Sequence, residues 1–205
     1  AYENSRTVIK DTINLSKPQL WSPETPYLYT LKTVLYGEDV ICDTSVERVG
    51  VRTIEFDDKN GFILNGKKTF MYGVCLHHDN GALGGITNNS AERRKLLIMK
   101  EMGCNAIRLS HNPFSRGFYK LCDEMGFLVM NEARRFESTE EGLEQLRNLV
   151  RRDRNRPSVI FWSTGNEEPM HSCAEGGRIH RALAAERRKR EQISAWCAWT
   201  WIPSS

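Results

Sequence analysis

From Thr69 onward the chain repeats one order four times, a short apolar run followed by a longer stretch with helical spacing. "FMYGVC" (Phe70 to Cys75) precedes a helix that Ser90 can cap and that Gly103 stops after Met102. "CNAIRLS" (Cys104 to Ser110) precedes a helix opened by Ser115. Its Phe118, Leu121, Cys122 and Met125 fall at i, i+3, i+4 and i+7, and Gly126 ends it. "FLVM" (Phe127 to Met130) precedes "STEEGLEQLRNLV", where Ser138 and Glu141 have capping-box spacing and Leu143, Leu146 and Val150 form the apolar face. "SVIFWS" (Ser158 to Ser163) precedes a helix over about Ala174 to Arg190. Strands that alternate with helices predict a parallel sheet joined by right-handed crossovers. A doubly wound sheet and a (β/α)8 barrel both satisfy that order. Neither a GxGxxG nor a P-loop follows any strand, which counts against nucleotide-binding versions.

The residues before Thr69 follow a different grammar. "PYLYTLKTVLYG" (Pro26 to Gly37) alternates and is rich in β-branched and aromatic residues. "VICDTSVERVGVRTIEF" (Val40 to Phe56) follows the turn signal Gly37-Glu38-Asp39. With no helix between them, the two runs predict antiparallel strands from a sandwich. In "FILNGKKTF" (Phe62 to Phe70), Asn65-Gly66 sits between apolar flanks, a strong hairpin signal.

In a parallel sheet all strands point one way, so the residues just past their ends lie together. Those ends carry His77 and His78, then Arg108 and His111, then Asn131 and Glu132, then Asn166 and Glu167. In a barrel that rim is where active sites sit. Arg108 lies in an apolar strand and needs a carboxylate partner, for which Glu132 is the candidate. Glu168 is expected to face solvent or an arginine. His111 precedes Asn112-Pro113, so its plainer role is to order that turn. His77, His78, Asp79 and His111 allow a metal-dependent hydrolase as one reading. No carboxylate stands at helical spacing and no metal motif matches, so no metal is expected.

Composition closes several other classes. A net charge of +3 is too small to argue for nucleic acid, and the charge run Glu186 to Glu191 mixes both signs on a helix. No apolar run approaches the roughly 20 residues of a membrane helix. The first residues lack the layout of a signal peptide. Cysteines at 42, 75, 104, 122, 173 and 197 form no CxxC pair. They read as buried, reduced thiols, which fits a cytoplasmic protein.

Read together, "NAIRLSHNP", "LCDEMGFLVMNEA" and "RDRNRPSVIFWSTGNEE" resemble glycoside hydrolase family 2, which includes β-galactosidases, β-glucuronidases and β-mannosidases. "LWSPETPYLYTLKTVLY" and "ERVGVRTIEF" look like the end of that family's immunoglobulin-like sandwich. "GFILNGKKTFMYGVCLHHD" looks like the start of its barrel. The resemblance implies the C-terminal part of an immunoglobulin-like β-sandwich over 1–57. It implies the first half of a TIM barrel, about four βα units, over 58–205. It also implies a retaining mechanism on a terminal β-glycoside, with carbohydrate as the partner and no cofactor. Glu167 matches the general acid/base and Asn166 the group that hydrogen-bonds the sugar's 2-hydroxyl. Arg108, His111 and His77 match substrate-site residues, and Glu132 joins them beside Arg108.

The chain departs from the family pattern at Arg156, where many members have histidine, and at Arg135, where an aromatic is common. A (β/α)8 barrel takes about 250 residues, and the whole chain has 205. The family's nucleophilic glutamate belongs to a later strand, so the chain is expected to stop before it. The alternative is a non-catalytic sugar-binding or assembly half-barrel, a homo-oligomer paired through exposed sheet edges. Trp196, Trp199 and Trp201 read as a partly buried cover or an exposed, aggregation-prone stretch.

Overall fold

A computed structural model of the chain describes residues 12–188. Trp196, Trp199, Trp201, Cys197 and the end of the Glu186 to Glu191 charge run lie outside the described residues.

Strands β1 (Tyr29–Gly37) and β2 (Val40–Val49) pair antiparallel through a two-residue turn in which Glu38 and Asp39 both have positive φ. The left-handed turn matches the right-handed twist of the ribbon. The second run is not one strand to Phe56, as its alternation predicts. It ends at Val49, and Ile54–Asp57 (β3) pairs with Gly61–Leu64 (β4) in another sheet. Between them Val51 is taken by Trp21, whose N–H donates to the Val51 carbonyl at 2.8 Å. Asn65 and Gly66, at φ 53° and 74°, turn the chain from β4 into the short β5 (Lys67–Lys68), as their dipeptide predicts.

The parallel sheet contains β6 (Gly73–Leu76), β7 (Ala106–Leu109), β8 (Leu128–Glu132) and β9 (Val159–Ser163), in that spatial order. Strictly consecutive neighbours are the wall of a barrel, since a doubly wound sheet reverses its order at a switch point. Helices α1 (Asn89–Glu101), α2 (Arg116–Met125) and α3 (Glu140–Asp153) connect the strands, and α4 (Ala174–Arg188) follows β9. The first strand begins three residues later than its apolar run. Phe70, Met71 and Tyr72 are exposed, whereas a Cβ on Gly73 would lie 2.5 Å from the Ala106 carbonyl oxygen. Only glycine allows β6 to approach β7 that closely.

Caps explain the helix starts. Ser115 accepts from the Phe118 N–H, and Gly126 closes α2 in the left-handed conformation, both as expected. Two other caps are corrected. Asn88, not Ser90, accepts the free N–H groups of α1. Thr139, not Ser138, accepts from the Gly142 N–H to start α3. Each cap must be the last extended residue before the helix, and Ser90 already lies inside α1 while Ser138 stands one residue too early for α3.

Two apolar layers flank the sheet. Between sheet and helices lie Leu96, Ile107, Leu109, Phe118, Tyr119, Cys122, Val129, Leu146, Val150, Val159, Ile179 and Leu183. Full burial of one such aliphatic or aromatic side chain contributes about 1.5–3 kcal/mol. A second layer closes the N-terminal ends of the strands, where Trp21, Leu28, Ile54, Phe62 and Leu64 pack on Leu128, Ile160 and Phe161. Phe56, Phe62 and Phe161 form a tilted aromatic trio in it. Trp21 Nε1 donates to the Asp123 carbonyl at 2.8 Å, and Arg52 donates to the carbonyls of Pro157 and Val159 at the start of β9. Burial pulls the Arg52 pKa down to about 10, with Asp123 opposing the fall.

Above this plug the concave face of the sheet is open. It forms a cavity of about 290 Å3 lined by residues including Met71, Cys75, Ala106, Arg108, Met130 and Phe161. The five described cysteines are free thiols, but only Cys122 is buried. Cys42, Cys75 and Cys173 are exposed, against the expectation of buried thiols. Cys75 lines the open face of a short apolar strand, Cys42 lies in the exposed β1–β2 ribbon, and Cys173 follows a 3-10 turn.

Candidate active site

Glu132, the last residue of β8, has no exposed surface. Its Oε2 accepts from Arg108 Nε at 2.9 Å, and its Oε1 accepts from His111 Nδ1 at 2.8 Å. Arg108 stands at the third position of β7, on the same concave face one strand away, and His111 follows just past that strand. The carboxylate that Arg108 requires is therefore the one the sequence offers. Because a carboxylate can only accept, His111 carries its proton on Nδ1 and, when neutral, presents Nε2 as an acceptor. Desolvation works against the charge on Arg108. The hydrogen bond and charge of Glu132 outweigh it and hold the guanidinium above its ordinary value.

Arg108 has a second partner from the next strand. Its Nη2 donates to Asn166 Oδ1 at 2.6 Å, and its Nη1 reaches Cys75 Sγ at 4.0 Å. Asn166 Nδ2 makes no hydrogen bond among the described residues and remains available to a ligand. His77 is exposed after β6 and sets its ring edge-on to His111, with centroids 5.2 Å apart. Glu167 is exposed and forms no ion pair or hydrogen bond among the described residues. Arg108, His111, Glu132, Asn166 and His77 thus meet at the C-terminal ends of β6 to β9, with Glu167 beside them in sequence.

Two expectations are corrected. Asn131 does not reach the rim. It lies on the helix side of β8, accepts from Tyr119 Oη at 2.8 Å and donates to Asp153 at 3.0 Å. The strand runs two residues further than its apolar core, so Asn131 and Glu132 alternate to opposite faces. Glu168 meets neither solvent alone nor an arginine. Its Oε2 accepts from His171 Nε2 at 2.8 Å and from the Asn166 backbone N–H at 2.7 Å. Of the other polar residues after β6, His78 turns onto Phe114 at 4.0 Å, and Asp79 accepts from the Gly81 N–H. Among the described residues no three His, Cys, Asp or Glu side chains gather as ligands. Burial, and then the nearby Lys95 charge, lower the His78 pKa.

Sequence reasoning missed Phe136, His171 and His180, which pack around Glu168. His171 lies in a 3-10 turn (Pro169–Ser172) and His180 in α4, and no fixed spacing links them. Arg156, a departure noted above, pairs with Asp123 at 3.1 Å, where Asp123 also accepts from Ser158. It belongs to the N-terminal plug, away from the rim. Arg135 pairs with Glu137 and Glu141.

Consecutive parallel βα units, entered from a strand ribbon, define part of a (β/α)8 barrel preceded by part of an immunoglobulin-like sandwich. The pattern for the glycosyl hydrolases family 2 TIM barrel domain matches residues 54–139 and 134–192, and that for glycosyl hydrolases family 2 matches residues 1–52. The chain belongs to glycoside hydrolase family 2. A β-galactosidase of Bacteroides ovatus is 43% identical over 181 residues, 82% of this chain and 21% of that protein. A putative β-glucuronidase of Formosa agariphila is 38% identical over 169 residues, 76% of this chain and 16% of that protein. The crystal structure of a family 2 member from Bacteroides cellulosilyticus superposes with TM-score 0.82 at 40% identity, over 86% of this chain and 24% of that one. The chain spans about a fifth of the length of the curated relatives it matches.

Proposed function

We propose that this chain carries the acid's side of a retaining β-glycosidase site of the β-galactosidase or β-glucuronidase type. The observation that carries the reading is the placement of Asn166-Glu167. Arg108 anchors the Asn166 side chain at 2.6 Å, while the adjacent Glu167 carboxyl is exposed and unengaged among the described residues. Glu167 protonates the leaving oxygen and later takes a proton from water. Asn166 donates from Nδ2 to the sugar's 2-hydroxyl, a bond that strengthens in the transition state. Arg108, His111 and His77 line the sugar's side of the rim.

Such a mechanism needs a second carboxylate about 5–5.5 Å from the acid to attack the anomeric carbon. Glu132 is a poor nucleophile because both of its oxygens are engaged, so it serves to fix Arg108 and His111. The same reading divides the chain at 57/58, in the β3 to β4 turn. The described free thiols fit a cytoplasmic setting. The open concave face and the outer edges of β6 and β9, unpaired among the described residues, favour self-association as a second reading.

The test is titration with methyl β-galactoside and methyl β-glucuronide, followed by the NMR signals of Asn166 Nδ2 and His111. Aryl β-glycoside hydrolysis by the wild type and Glu167→Gln runs beside it. Shifts confined to the rim, absent with the 2-deoxy sugar, are expected, and any turnover should vanish in Glu167→Gln. No shift with either sugar, or turnover that survives Glu167→Gln, would overturn the reading.

A further inference from the structure

After β9 the chain folds back on itself, and Glu168 stands at the centre of the return. Its Oε2 receives the Asn166 backbone N–H at 2.7 Å and His171 Nε2 at 2.8 Å. The other nitrogen of His171, Nδ1, lies 3.2 Å from Nε2 of His180 on α4. The carboxylate accepts only, so His171 is protonated on Nε2 and its Nδ1, when neutral, must accept. His180 therefore donates from Nε2, and each proton in the row has one place. Burial acts to raise the Glu168 pKa, but the bonds from His171, from its own backbone amide and from the Asn166 amide outweigh it and leave the carboxyl below its ordinary value. Burial, then the neighbouring His171, lower the His180 pKa, with the Glu168 charge opposing them.

The surroundings are built to this row. Phe136, 8% exposed, stacks on the His171 ring at 4.2 Å and borders His180 at 4.5 Å. Gly165 leaves the needed space, since a Cβ there would lie 2.9 Å from Phe136 Cδ2, 3.1 Å from His171 Nε2 and 3.2 Å from Glu168 Oε2. Asn166 is thus held from two sides, its N–H by Glu168 and its Oδ1 by Arg108. A chance surface pair would not be aimed at the backbone of the residue before the acid.

Resting on the assignment of Glu167 as acid/base, we infer that Glu168, His171 and His180 form a positioning relay, which fixes the Asn166–Glu167 backbone from α4. On this reading none of the three is assigned a contact with substrate. They act through Asn166 and set where the Glu167 carboxyl emerges.

Backbone amide NMR and hydrogen exchange on the whole chain test this without reliance on turnover. In the wild type the Asn166 amide proton should lie downfield, as a charge-assisted bond requires. Glu168→Gln should move it upfield and speed its exchange by about tenfold or more, the factor carried by one hydrogen bond to a charge. His171→Gln keeps a donor to Glu168 and should retain most of the protection, whereas His171→Leu should lose it. His180→Phe keeps the stack and removes the last donor, so a smaller change in the same direction is expected. Unchanged β8 amides show that each variant folds. An Asn166 amide indifferent to Glu168→Gln, or protected equally in His171→Gln and His171→Leu, would overturn the relay. If the amide data hold while sugars neither bind nor turn over, the acid/base assignment fails and the relay stands.

Discussion

Glu132 gives one oxygen to Arg108 and the other to His111, and its own side chain has no exposed surface. Substituting Gln keeps the shape but removes the charge and leaves one polar end mismatched against a guanidinium. Arg108 and His111 are each about a third exposed, at 31% and 32%, so water offsets part of the loss. Glu132→Gln should cost about 2–3 kcal/mol in urea unfolding, and the His111 ring signals should move with it. The need of Arg108 for a carboxylate was legible in sequence because an unpaired guanidinium in an apolar strand is expensive. The fate of Asn131 was not. Whether a residue lies inside a strand or just past it decides its face, and apolar runs blur strand ends by two residues. The partner of Glu168 was equally hidden, since His171 reaches it through a 3-10 turn that no sequence period announces.

At the scale of elements, the caps give a sharp comparison. Ser115→Ala and Thr139→Ala should each cost about 1 kcal/mol, because each frees a helix N–H. Ser138→Ala should stay within about 0.5 kcal/mol, as for a surface change that breaks no cap. Thermal or urea unfolding of the three variants decides it, and a larger loss at Ser138 than at Thr139 would contradict the assigned α3 start. Helices and strands were legible because their periods differ, and the Asn65-Gly66 hairpin because its backbone needs two positive φ values. Cap identity was not, since several candidate residues cluster before each helix and only backbone geometry picks one. The late start of β6 was hidden for a related reason: close approach to Ala106 is a property of two strands at once.

For the molecule as a whole, the order of elements carried the fold, while pairing beyond neighbours did not show. Nothing in the alternation of Val40 to Phe56 announces that its last residues join another sheet and plug the strand ends. Acid should act on the whole chain through His78 and His180. Both have pKa values lowered in the fold, so below the ordinary histidine value near 6.5 the unfolded chain takes up protons first. Stability contributed by these rings in neutral form is present above that value and lost as pH falls. Burial raises the pKa values of Asp123 and Glu92, which work in the opposite direction at lower pH. The comparison that isolates the rings is wild type against His78→Gln/His180→Gln. The double variant should lose less stability than wild type between about pH 7 and 5.5, and an equal loss would remove the rings as the cause. The open sheet face predicts a second bulk behaviour, an average mass in sedimentation that climbs with concentration. A strict monomer throughout would argue that the edges of β6 and β9 are protected.

The bond from Arg108 to Asn166 joins residues 58 positions apart, and Glu132 lies between them in sequence. Among the described residues the polar cluster therefore closes across three neighbouring strands. On a ribosome, which releases a chain from its N-terminus, this corner would set its geometry as soon as β9 docks on β8. The contacts that the described residues give Arg108, His111, Glu132 and Asn166 all come from positions before α4, so this corner can take shape before that helix is added.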